Sequence, residues 1–145
     1  MKFKNTLASM VLVGTALSGA ALTSVHADVA IIVSPKANIN KVDQDVIARI
    51  FLGKTSRLPN GEKAVPVDME KGSPIYNEFA KSVLDKTPSQ LSTHWSRLIF
   101  TGRAKPNKQV SNAEKMKELV ASNANFIGYI DGKDVDSSVV VVHRH

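Results

Sequence analysis

From residue 29 onward, short runs of β-branched residues alternate with amphipathic stretches that open on helix-capping residues. That alternation restricts the chain to a layered packing of helices on a sheet. Val29 to Val33 (VAIIV) is apolar throughout, as in a strand buried on both faces, and Ser34-Pro35 ends it. Val42, Val46, Ile47, Ile50 and Phe51 then recur at helical spacing, and Gly53 supplies a C-terminal stop. Beyond the turn signal Pro59-Asn60-Gly61, Ala64 to Asp68 predicts a second strand. Ser73 is a good N-cap with Pro74 at the first helical position, and Tyr76, Phe79, Ala80 and Val83 line one face.

Thr87-Pro88-Ser89-Gln90 reads as a capping box opening a helix whose buried stripe is Leu91, Trp95, Leu98 and Ile99. A polar loop, Thr101 to Asn107, follows. Ser111-Asn112-Ala113-Glu114 is a second capping box, with Met116, Leu119 and Val120 inward. Phe126 to Ile130 and Ser138 to Val142 predict two more strands, with Asp131-Gly132 starting the turn between them. The order predicts an α/β domain whose mostly parallel sheet is flanked by helices. Ligands in such sheets sit beyond the carboxyl ends of the strands.

Ahead of this domain, Lys2 and Lys4 precede an apolar run from about Leu7 to Leu22, closing on Val25-His26-Ala27. A charged start, a short apolar middle and a small-residue exit predict a cleavable signal peptide over residues 1–27 and a domain over 28–145, placed in the periplasm or secreted. The run is short for a bilayer span of about 20 residues and is interrupted by Gly14, Ser18 and Gly19. The chain has no cysteine, which excludes disulfides, thiol catalysis and cysteine-ligated metals. The formal net charge of +6 suits anions, acidic polymers or headgroups. Nucleic acid is disfavoured, because no basic run is interleaved with aromatics.

The strand leading into Gly72-Ser73-Pro74 is the most informative local feature. A helix N-terminus presents free backbone N–H groups and partial positive charge, and so favours an anion. Gly72 admits a close backbone approach, the Ser73 hydroxyl can donate, and the amides of Ile75 and Tyr76 remain where Pro74 has none. An ordinary N-cap explains the same residues. Lys54, Arg57, Arg97, Arg103 and Lys105 fall in or beside loops, and Arg103 has the fork to close over an anion. Asp68 and Glu70 flank the same loop and would repel one unless paired. Ser73 lacks a G-x-S-x-G setting for a His94 or His143 partner, and His143 with His145 makes too few ligands for a metal. The reading is a non-enzyme without cofactor.

Val29 to Val33, Ile47-Ala48-Arg49-Ile50-Phe51-Leu52-Gly53-Lys54, Val65-Pro66-Val67-Asp68, Gly72-Ser73 and Phe126-Ile127-Gly128-Tyr129-Ile130 follow one another in an order that resembles the second half of the phosphate-binding proteins of phosphate ABC transporters. These are type 2 periplasmic binding proteins. His94 to Gly102 is also similar to short proteins of that kind. The resemblance implies one three-layer lobe of a two-lobe clamp. It implies an inorganic oxyanion, phosphate foremost, held at Gly72, Ser73, Ile75, Tyr76 and Arg103, with an ABC permease as partner. A homodimer would supply the second jaw. Against the family's arginine followed by G-S-G-T, this loop has Asp68 or Met69 at the arginine position, Pro74 for the second glycine and Ile75 for the threonine. Each hydrogen bond to a charged ligand is worth about 1.5–3 kcal/mol, so these departures point also to a second reading. In it, the scaffold serves as an envelope interaction or sensing module without phosphate.

Overall fold

The computed structural model describes residues 28–145; the expected signal peptide, residues 1–27, lies outside the described residues. Five strands form one sheet: β1 (Val29–Val33), β2 (Val65–Met69), β3 (Lys108–Val110), β4 (Phe126–Asp131) and β5 (Val140–Arg144). The helices are α1 (Gln44–Phe51), α2 (Pro74–Ser82), α3 (Pro88–Phe100) and α4 (Ala113–Ser122).

The sheet order is β3-β2-β4-β1-β5. β2 runs parallel to both β3 and β4, whereas β1 is antiparallel to β4 and to β5. Four strands therefore point the same way, and β1 is reversed among them. Each β1 residue is fully buried, which is why that strand is apolar throughout. The turn expected between β4 and β5 is instead a crossover. After a 3₁₀ turn at Gly132–Asp134 the chain passes to the far side of β1. Pro66 lacks an N–H but costs β2 little, because β3 pairs only from Val67 onward.

Tyr129 on β4 marks one face of the sheet, where its ring stacks on Phe79 of α2 at 3.8 Å and meets Phe51 of α1 edge-on. Gly128, its neighbour, marks the other face, where α4 lies so close that an added Cβ would overlap the Met116 sulfur. The sheet is thus the middle of three layers.

The caps follow local chemistry. Thr87 and Gln90 form the expected reciprocal capping box of α3. At α4 the cap is Asn112, whose Oδ1 accepts from the Lys115 amide, rather than Ser111. Two other positions also differ from expectation. β3 forms from residues too polar and too few to read as a strand. Ile99 was expected inside and is 42% exposed, since only Leu91 and Trp95 of α3 are fully inward.

Candidate ligand site

β2 and β3 are parallel and end at one edge of the sheet, so α2 and α4 start side by side there. Between β2 and α2, Glu70 to Ser73 makes a tight turn in which the Ser73 amide donates to the Glu70 carbonyl at 3.1 Å. Gly72 takes φ 84° in the turn's third position, a conformation that strains any residue with a Cβ. Open space surrounds it.

Ser73 caps α2: its Oγ accepts from the Tyr76 amide at 3.3 Å, which leaves the hydroxyl proton available. Tyr76 thereby commits its backbone N–H to the cap and buries its ring. The amides of Lys71, Gly72 and Ile75 have no acceptor among the described residues. Beside this turn lies a depression of about 320 Å³, lined by Glu70, Gln109, Val110, Ser111 and Lys115. Because Asn112 is the α4 cap, the Ser111 hydroxyl is not consumed there. Gly72, Ser73, Ile75 and Tyr76 thus share one loop–helix junction. Arg103 is exposed in the loop after α3, with its amide tied to the Leu98 carbonyl at 2.9 Å.

Under the turn sits a network with no counterpart in the sequence reading. The buried Asp68 carboxyl accepts from the Tyr129 hydroxyl at 3.1 Å and from the Asn107 side-chain amide at 2.9 Å. The same Tyr129 oxygen accepts from the Met69 amide at 3.1 Å. Burial raises the Asp68 pKa to about 6, against the lowering effect of those two donors and of the Lys71 charge. The Tyr76 hydroxyl is also pushed up, by burial and by Asp68. A gap of about 30 Å³ among Asp68, Lys71, Tyr76, Trp95, Ile99 and Asn107 has room for roughly two waters. An ionised Asp68 would repel an anion placed above this floor.

The other chemistry considered at the sequence level is dispersed. His94 spends its ring nitrogen on the Leu52 carbonyl at 2.8 Å. Among the described residues no group of three or more acidic or histidine side chains is placed to hold a metal. A depression of about 440 Å³ between α2 and α3 sets Glu78 and Asp85 among Lys81 and Lys86 and so has no net attraction for an anion. No described helix is long and apolar enough to cross a membrane.

No family model matches the chain, and no curated protein matches its sequence. Solved structures do match its fold. An ABC-type phosphate transport receptor from Vibrio cholerae aligns with 81% of this chain at 22% identity and a TM-score of 0.63. A putative phosphate ABC transporter substrate-binding protein with bound phosphate, from Clostridium perfringens, aligns with 80% at 25% identity and 0.60. PstS from Borrelia burgdorferi aligns with 80% at 15% identity and 0.60. This chain spans about half of each: 47%, 45% and 47% of their lengths. The described residues have the fold of a single lobe of the phosphate ABC transporter substrate-binding proteins.

Proposed function

We propose that this chain is an exported solute-binding protein that takes up an inorganic oxyanion, phosphate foremost, at the junction of β2 and α2, and serves an ABC-type permease. The observation that carries this reading is the set of free amides at Lys71, Gly72 and Ile75, beside a depression that also holds Lys115 and Ser111. Backbone donors and a helix N-terminus lie in the turn that follows Glu70, and the Lys115 ammonium shares with Glu70 the depression beside it, where an oxyanion's charge would be stabilised. Ser73 adds a hydroxyl donor without giving up its cap. Support comes also from the likeness to proteins named as phosphate receptors.

Calorimetry and thermal shift on residues 28–145 with phosphate, sulfate and molybdate test the proposal. The expected result is a saturable rise in melting temperature with one oxyanion that survives moderate salt. Lys115→Ala should weaken binding roughly 3–10-fold, the range for a charge-assisted bond open to water. No shift at about 50 mM oxyanion, far above a millimolar dissociation constant, would refute oxyanion binding and favour the envelope-module reading, in which Pro74 and Ile75 stand where ligand donors would be.

A further inference from the structure

We propose that the C-terminal end of α3 and the loop after it form a docking surface for an anionic phospholipid bilayer. Two observations meet there. Ile99 and Phe100, 42% and 92% exposed, are the exposed large hydrophobic residues of the described chain. Both fall within a stretch, Lys86 to Ala113, that contains Lys86, Arg97, Arg103, Lys105 and Lys108 but no aspartate or glutamate.

The fold holds Arg97, Arg103 and Lys105 beside the apolar pair. Arg97 lies three residues before Phe100 on the same helix, so the two are neighbours on its surface. Arg103 and Ala104 turn back to bond the Leu98 carbonyl, which holds Arg103 and Lys105 beside the helix end. From α1, the Gly53–Lys54 corner abuts α3, because a Cβ on Gly53 would stand 3.4 Å from Trp95 and 3.6 Å from Leu98. Among the described residues, none of Lys54, Arg97, Arg103 or Lys105 has a carboxylate within ion-pairing distance. Before Arg97 the exposed residues of α3 are Pro88, Ser89, Gln90, Ser92, Thr93 and Ser96, none of them charged.

Cations framing a protruding aromatic, over a hydroxyl-rich face without acid, match an anionic headgroup layer with acyl chains beneath it. The same face of a second copy would oppose cation to cation, which disfavours self-association through this surface. Phe100 stands nearly clear of the protein. It can enter a lipid interface without the shaped recess that a protein partner would need.

Flotation of residues 28–145 with vesicles tests the proposal; this segment holds every described element and the whole core. The vesicles are phosphatidylcholine alone or with phosphatidylglycerol. Binding is expected only to the anionic vesicles and should fall as salt rises. Arg97→Ser and Arg103→Ser should each weaken it about fivefold. Phe100→Ser should weaken it at least as much with no loss of melting temperature, because its ring packs on little. Absence of binding to anionic vesicles overturns the proposal. So does binding insensitive to Phe100→Ser, or equal capture of wild type and Phe100→Ser by polyglutamate beads, which would identify an acidic protein as the partner.

Discussion

Two opposing effects meet at Asp68: burial raises its carboxyl to about 6, while the Asn107 and Tyr129 donors act to lower it. Burial prevails, so the folded protein holds this proton more tightly than the unfolded chain does, with a reference value of 3.8. Stability from this group is therefore present at low pH and is lost as pH rises between those two values. The cost above the window is on the order of 3 kcal/mol at most. Asp68→Asn, with Asn107 turning its amide to accept, should be about 1–3 kcal/mol more stable than wild type at pH 7.5. The gap should narrow as pH falls toward 4. Denaturant unfolding at both pH values checks this, and a gap independent of pH would show that folding does not raise the Asp68 pKa. Nothing local in the sequence announces the network, because Tyr129 lies 61 residues from Asp68 and the two meet only across β2 and β4. What was legible was an acidic residue next to the Gly72-Ser73 turn; its burial was not.

At the scale of elements, the segment Phe126-Ile127-Gly128-Tyr129-Ile130 shows why a short motif was readable. Tyr129 is fixed by its hydroxyl bonds and its stack on Phe79, and Gly128 by the close approach of α4. An alanine at 128 would overlap the Met116 sulfur and stand 3.1 Å from a Val120 methyl. Met116 and Val120 are fully buried, so neither can swing out to solvent. Gly128→Ala should cost about 1–3 kcal/mol by overpacking. Gly128→Ala combined with Met116→Ala should lose less than the two single costs added, which a double-mutant cycle by thermal melts will measure. The β-branched strands and capped helices were legible because each carries its own periodicity. β3 was not, since two of its three residues, Lys108 and Gln109, are polar and exposed, and it exists through backbone pairing to β2. The reversal of β1 is likewise a long-range choice that its uniform apolar run does not encode. Ile99 obeys the helical period of α3 yet falls at the rim of the gap over Asp68, where burial ends.

For the molecule as a whole, the described residues offer one wall to a ligand, and the matched structures are about twice as long. One wall has energetic consequences. Free amides and a lysine facing open water each exchange a bond to solvent for a bond to ligand, so their net contributions fall toward the low end of about 0.5–1.5 kcal/mol. Several such contacts, set against the entropy of association, give a dissociation constant on the order of a millimolar. Glu70 at the rim and an ionised Asp68 beneath weaken it further, so affinity for an oxyanion should rise as pH falls through about 6 and Asp68 takes up its proton. In Asp68→Asn that step should be absent. Isothermal titration from pH 5 to pH 8, with sulfate beside phosphate to separate the protein's titration from the ligand's own, reads both the magnitude and the slope. A flat profile for sulfate would place the anion away from Asp68. A micromolar constant would require a second wall, and sedimentation at the same concentrations would then show whether another copy of the chain supplies it.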